Sequence, residues 1–136
     1  MKQLICTGFG MICAVVSTAF GGWDTALTAM VICMCVDYIS GSIVALVFHN
    51  SRKTPSGCYN SSYGLKGLCK KCMMLLFVVV AVQADRILGI SYLRDAVCLG
   101  FSANEMLSIV ENLGLAGIPL PEKVRAALEQ LHAKAK

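Results

Sequence analysis

The longest break between the apolar runs of this chain is residues 50–72, N-S-R-K-T-P-S-G-C-Y-N-S-S-Y-G-L-K-G-L-C-K-K-C. This stretch carries five of the twelve basic residues and no acidic residue. The five are Arg52, Lys53, Lys66, Lys70 and Lys71. Short segments rich in Lys and Arg stay on the cytoplasmic side of a membrane, where they meet anionic lipid headgroups. If the flanking runs cross a membrane, this stretch predicts which way the chain faces.

The composition is typical of an integral membrane protein. Hydrophobic residues make up 57% of the 136 residues and charged residues only 15%, whereas ordinary soluble domains carry about 25% charged residues. A soluble fold of this size could not bury so much apolar surface. The net charge of +4 suits loops near anionic lipid. No basic stripe interleaved with aromatic residues predicts a nucleic-acid partner.

Four apolar runs predict about four transmembrane helices, at residues 4–20, 26–48, 68–85 and 95–115. A basic cytoplasmic loop is predicted between the second and third helices, over residues 49–67. The C-terminal segment, residues 122–136, is predicted to be a short cytoplasmic amphipathic helix after a transmembrane domain of residues 1–121. The fold class is therefore all-α and multi-pass, with both termini inside the cell.

Two of these runs leave an alternative open. Residues 4–20 have features of a cleaved signal peptide, because Lys2 precedes the apolar region and Ser17-Thr18-Ala19 offers a small-residue cleavage site. The third span either ends near Ala84 or continues through Asp85-Arg86, with these two charges neutralising each other.

Small residues within the first two runs are candidates for close helix contacts, because association in lipid relies on packing. They are Gly10, Ala14, Thr18 and Gly41. Such residues are also simply common in membrane helices, which leaves a neutral interpretation open.

The sequence predicts no enzyme, cofactor or metal site. It has no Gly-rich phosphate loop, no H-E-x-x-H and no G-x-S-x-G. Cys69-x-x-Cys72 has the spacing of zinc ligands, but it lacks a second pair or a nearby His.

Polar residues inside the predicted spans are candidates for pore lining or oligomer packing. Asp37 lies near the centre of the second run, where an ionised carboxylate costs roughly 2.5–3.5 kcal/mol, so it should face protein or water. In the fourth run the polar residues share about one third of the helix circumference. That stripe predicts the wall of an aqueous lumen or a face packed against other helices. The candidates are Asp37, Asp85, Asn104, Glu105, Ser108, Glu111 and Asn112.

Four features of the sequence resemble those of a known family. They are Asp37-Tyr-Ile-Ser-Gly41, Ser61-Ser-Tyr-Gly-Leu-Lys-Gly-Leu-Cys-Lys-Lys71, Asp85, and the long mixed segment Glu105-Met-Leu-Ser-Ile-Val-Glu-Asn-Leu-Gly-Leu-Ala-Gly-Ile-Pro-Leu-Pro121. The family is that of the phage lysis and toxin-secretion holins of Gram-positive bacteria and their phages. The last motif is the most specific of these. The first apolar run matches only as a generic apolar segment.

The resemblance implies a multi-pass protein of the bacterial cytoplasmic membrane that assembles into homo-oligomers. Those oligomers would open lesions that release a cell-wall hydrolase (an endolysin) or a toxin. The oligomer would not need to contact the endolysin directly, and an antiholin is a possible further partner. Two other interpretations stay open. The same carboxylates suit a small ion or proton channel or transporter, and an antiholin would insert and oligomerise without permeabilising the membrane.

Overall fold

The computed structural model describes the backbone of residues 1–134 and the side chains of residues 1–127 and 130. Within residues 1–134 the regular structure is helical throughout, which confirms the all-α prediction. The helices are α1 (Lys2–Ala19), α2 (Thr25–Leu46), α3 (Ser61–Leu88), α4 (Leu93–Leu115) and α5 (Glu122–Lys134). The predicted C-terminal helix over 122–136 matches α5, and its last two residues lie outside the described part.

Helices α2, α3 and α4 form a bundle in which α4 is the central element. Both α2 and α3 pack against α4, and they make few contacts with each other. One apolar cluster fills the space where the three helices meet. Its buried members are Leu27, Met30, Met34, Met74, Val78 and Cys98. Because all three helices contribute to this cluster, it fixes their relative positions.

Helix α1 lies outside this bundle, and none of its residues is buried. Leu4 and Phe9 are 80% and 69% exposed, and a Cβ atom added at Gly10 would meet nothing within 4 Å. Only the C-terminal end of α1 is tied to the bundle, since Arg86 of α3 donates a 2.9 Å hydrogen bond to the Thr18 carbonyl. The apolar surface of α1 is therefore available to lipid or to another chain.

Two helices, α1 and α2, are long and apolar enough to cross a membrane. Helices α3 and α4 have 28 and 23 residues, which corresponds to about 42 and 34 Å at 1.5 Å per residue. They are long enough to span, but they are not among the helices whose composition makes them candidate spans. Crossing by α3 and α4, and with it the four-span topology, stays a prediction.

The predicted loop over residues 49–67 differs from the structure, because the chain is helical from Ser61 onward. Asn60 starts α3, since its side-chain oxygen accepts a 2.9 Å hydrogen bond from the Ser62 backbone N–H. The helix therefore begins about two turns before the predicted span of residues 68–85. As a result, Lys66 lies on a bundle helix and not in the predicted loop.

We expect the core position Leu27 and the α1 position Leu4 to respond differently to truncation. Leu27→Ala removes a fully buried side chain and should lower the free energy of unfolding by about 2–5 kcal/mol. Leu4→Ala makes the same chemical change on a side chain that is 80% exposed, so it should change that free energy little. Denaturant unfolding in detergent, followed by circular dichroism, measures both. Equal losses in the two variants would contradict the unpacked position of α1.

Candidate functional site: the polar interior of the bundle

Three charged side chains, one from each bundle helix, meet inside the protein. The Lys71 ammonium of α3 donates a 2.8 Å hydrogen bond to Asp37 Oδ2 of α2, and it also pairs with the Glu105 carboxylate of α4. The exposed fractions of the Asp37, Lys71 and Glu105 side chains are 7%, 11% and 4%. We call these three residues the buried ion triad. Charges at this degree of burial are tolerated when they are paired and hydrogen-bonded.

The buried ion triad lies near the middle of the bundle. Asp37 and Glu105 each come twelve residues after the first residue of their helix, which is about 18 Å along the axis. Removing one member of such a buried pair leaves an uncompensated charge, which costs far more than the pair contributes. The triad therefore holds α2, α3 and α4 together near the middle of the bundle, where an unpaired charge would be most unfavourable.

Asn112 of α4 completes the hydrogen bonding of Asp37. Its side-chain amide donates to Asp37 Oδ1 at 3.1 Å and to the Ser40 hydroxyl at 2.9 Å. A Cβ atom added at Gly41 would stand 3.5 Å from that amide nitrogen, an ordinary contact distance, so Gly41 lies directly against the α4 side chain. The Lys53 ammonium lies 3.8 Å from Asp37 Oδ1 and is the more exposed partner, at 58%. Both carboxylate oxygens of Asp37 thus face positive or donor groups.

A cavity of about 320 Å³ leads from the end of the bundle that carries the 47–60 connection down to the buried ion triad. It lies between the C-terminal half of α2 and the first turns of α3, with α4 behind them. Its lining includes the triad and Tyr38, Lys53, Tyr59, Tyr63, Gly67, Lys70, Asn104 and Ser108. The cavity therefore connects the triad to one end of the bundle.

The apolar cluster of the core lies on the other side of the triad. Leu27, Met30 and Val78, three of its members, have no exposed surface. They come from the helix segments between the triad and the opposite end of the bundle. Among the described residues, packed apolar side chains thus separate the cavity from that end.

A second polar cluster occupies that opposite end, around Arg94 at the start of α4. The Arg94 guanidinium pairs with Asp24 and with Asp95, and it donates to the carbonyl oxygens of Phe20 at 3.1 Å and Gly22 at 3.0 Å. The hydrogen bond from Arg94 holds the pKa of the Asp24 carboxyl below its usual value, and the same bond raises the pKa of Arg94. We call these residues, with Asp85, the Arg94 cluster. It ties the α1–α2 turn to α4.

Asp85 supplies the missing cap of α4. Tyr92 precedes the helix and offers no side-chain hydrogen bond to it. The two carboxylate oxygens of Asp85 instead accept 3.0 Å hydrogen bonds from the backbone N–H groups of Leu93 and Arg94. Gly89 allows the chain to turn from the end of α3 back towards Asp85. It ends α3 with a positive φ of 67°, which glycine adopts without strain.

The structure brings some of the predicted candidates together and separates others. Asp37, Glu105, Ser108 and Asn112 share the interior, whereas Asp85 lies in the Arg94 cluster. Asp85 and Arg86 have separate partners, so the mutual neutralisation that one of the two alternatives for the third span requires is not seen among the described contacts. The other two predicted candidates, Asn104 and Glu111, are exposed and half-buried, respectively. Their roles in a pore or an oligomer stay predictions.

The basic residues predicted to set topology also separate. Lys71 was expected at the headgroup level but lies in the buried ion triad. Arg52, Lys53 and Lys70 are exposed, and Lys66 is also exposed, with its ammonium 5.1 Å from the centre of the Tyr63 ring. The one sequence signal for a buried Lys71 is its position. It is the last charged residue before residues 72–84, an apolar run without any charge.

The predicted packing residues of α1 are exposed within one chain, although the Thr18 carbonyl accepts the hydrogen bond from Arg86 of α3. Ala14 and Thr18 are exposed, and the Thr18 hydroxyl donates within its own helix, to the Ala14 carbonyl at 2.8 Å. Contacts of these residues and of Gly10 between chains stay a prediction. Gly41, in contrast, lies at the contact of α2 with α4.

A helical chain with two apolar helices able to cross a membrane and charges paired in its interior has the features of a small membrane protein. The chain belongs to the bacteriophage holin family, whose profile matches residues 14–133. This confirms the resemblance seen in the motifs and indicates membrane localisation. The family is not one of enzymes.

Bacterial relatives cover most of the chain. An uncharacterized 14.9 kDa protein from the nagH 3' region of Clostridium perfringens is 36% identical over 117 residues, which is 85% of this chain and 83% of the relative. An uncharacterized Listeria innocua protein is 35% identical over 128 residues, covering 93% of this chain and 84% of the relative. No solved structure matches the chain significantly.

Lys71→Gln should destabilise the fold strongly, because it leaves Asp37 and Glu105 buried together without their shared cation. We expect a loss of about 3–5 kcal/mol in the free energy of unfolding. Lys66→Gln, five residues earlier on the same helix and exposed, is the matched control and should have little effect. Adding Glu105→Gln to Lys71→Gln should restore part of the loss, since one buried negative charge is removed. Thermal unfolding in detergent tests this, and equal stability of the two single variants would contradict the buried ion triad.

Proposed function

We propose that this protein is a holin of the bacterial cytoplasmic membrane. It accumulates there as a multi-pass protein, oligomerises, and opens lesions that release an endolysin or a toxin. Membership of the holin family supports this proposal, as do the two apolar helices able to cross a membrane. In this topology the basic 47–60 connection and α5 face the cytoplasm, and the Arg94 cluster faces outward.

The observation that carries the proposal is the position of the polar face of α4. Ser102, Glu105 and Asn112 are 6%, 3% and 5% exposed, respectively, so the part of this face that carries them is turned into the bundle. Each of the three has a hydrogen-bond or ion-pair partner inside the same chain. We infer that this is the resting state, and that the same face lines an aqueous lesion when several copies rearrange. In the lesion, water replaces the hydrogen-bond and ion-pair partners that these side chains lose, which lowers the free-energy cost of the rearrangement.

Helix α1 supports the assembly step. Its apolar side chains are exposed over its whole length, and its small residues permit close approach of another helix in lipid. A single chain is too short to enclose a wide pore, so the lesion requires several copies. We propose that α1 supplies part of the contact between them.

Two quantities measured during timed induction in a bacterial host test the function. They are the membrane potential and the escape of a co-expressed cytoplasmic endolysin. A holin predicts abrupt depolarisation together with enzyme escape. Depolarisation without escape would instead support a small ion or proton channel, which the cavity leading to the triad favours as the second candidate. Membrane insertion with neither effect would indicate an antiholin-type subunit.

Glu105→Gln should make triggering earlier in that assay. It keeps the shape of the side chain but removes a buried charge that ties α4 to Lys71, a bond of a kind worth about 1.5–3 kcal/mol. Glu111→Gln, on the same polar stripe, should also shift the time, but by less, because its carboxylate is outside the triad. Glu122→Gln, at an exposed position of α5, is the control. Unchanged timing of Glu105→Gln at normal membrane levels would contradict the resting-state assignment.

A further inference from the structure

The cavity above the buried ion triad has the charge and the chemistry of a binding site for one anionic phosphate group. We propose that it binds a phosphodiester, and that the source is the headgroup of an anionic phospholipid in the cytoplasmic leaflet. This inference uses the proposed membrane orientation but does not depend on lesion formation. Binding is measured on purified protein, so its failure and that of the holin proposal are distinguishable.

The charges that line the cavity do not cancel. Three ammonium groups, those of Lys53, Lys70 and Lys71, face two carboxylates, those of Asp37 and Glu105. One positive charge is therefore left over, and a phosphodiester carries one negative charge. Lys71 is fully engaged, because both carboxylates pair with it. The excess charge thus falls on Lys53 and Lys70.

These two lysines are able to turn to a ligand. Lys53 is 58% exposed, and its ammonium is 3.8 Å from Asp37 Oδ1, which is a long ion pair. Lys70 is exposed and has no hydrogen-bond or ion-pair partner among the described residues. A charge-assisted hydrogen bond from an ammonium to a phosphate oxygen is stronger than a bond between neutral groups. Both lysines can therefore bind a phosphate without breaking the triad.

The neutral part of the lining suits the rest of a lipid headgroup. Tyr38, Tyr59 and Tyr63 offer ring surface together with hydroxyl groups, and Asn104 adds an exposed amide. Glycines take up little space on the α3 side, where a Cβ atom added at Gly67 would reach a ring carbon of Tyr38 at 3.9 Å. An amphipathic ligand with a charged group and a short carbon backbone matches such walls.

The position of the cavity favours lipid over a soluble anion. It lies at the end of the bundle that carries the basic connection, so in the proposed orientation it faces the cytoplasmic leaflet, whose surface is negatively charged. It separates α2 from α3 at this end, and these two helices make few contacts with each other. A headgroup can enter between them from the side of the bilayer.

Native mass spectrometry of the full chain, released from micelles that contain phosphatidylglycerol and phosphatidylcholine, tests the site. We expect one phosphatidylglycerol retained per chain in preference to phosphatidylcholine. Lys70→Gln should weaken retention about tenfold, since it removes one charge-assisted hydrogen bond. Gly67→Leu should also weaken it, by filling the cavity without changing charge. Circular dichroism confirms that both variants are folded.

Lys66→Gln is the control for general electrostatic attraction. It removes the same charge from the same helix, but Lys66 does not line the cavity, so retention should stay close to that of the parent. Equal losses in Lys66→Gln and Lys70→Gln would overturn the proposal. A second arm adds inorganic phosphate in place of lipid. Phosphate binding that needs Lys70, without a preference for phosphatidylglycerol, would keep the site and make the soluble anion its ligand. If Lys70→Gln changes the binding of neither phosphatidylglycerol nor phosphate, the proposed site is overturned.

Discussion

The arrangement of α2, α3 and α4 depends on the ion pairs that Lys71 makes with Asp37 and Glu105 inside the bundle. Each partner comes from a different helix, so one ammonium group ties all three together. Asn112 adds a direct link between α4 and α2 through the same carboxylate of Asp37. Buried charges contribute little net stability when paired but cost several kcal/mol when a partner is lost. The buried ion triad therefore favours one packing of α2, α3 and α4, because any other packing would leave a buried charge without its partner.

The interior is layered along the bundle axis. The cavity and the buried ion triad are followed by the apolar cluster around Leu27 and Val78, and then by the Arg94 cluster. The Arg94 cluster also holds the end of α1, through the carbonyl oxygens of Phe20 and Gly22. Two polar sites thus fix the bundle at different depths, while the body of α1 is left without partners. The bundle is thus fixed internally, whereas α1 keeps an exposed apolar surface, which supports the proposed assembly into oligomers.

Much of the fold could be predicted from sequence, because apolar runs of helical length dominate the chain. The cost of an unpaired charge in lipid predicted that Asp37 faces protein or water. The polar stripe that contains Glu105 predicted either a lumen wall or a packed face. The partner Lys71 did not follow, since a lysine at the start of an apolar run is ordinarily expected at the membrane surface. The early start of α3 depends on the Asn60 cap, and the position of Asp85 depends on its bonds to the α4 backbone. These are contacts distant in the chain or single hydrogen bonds, which periodicity does not reveal.

The accessibility of Ser102 before and after triggering tests most directly whether the polar face of α4 changes its surroundings. Ser102 is 6% exposed, and its hydroxyl donates to the Cys98 carbonyl at 2.7 Å. Ser102→Cys, in a chain whose eight native cysteines are replaced, would be treated with a membrane-impermeant maleimide during timed induction. The resting bundle predicts protection until triggering and rapid labelling afterwards. A residue that is labelled from the start, or stays protected while endolysin escapes, would contradict a lesion lined by this face.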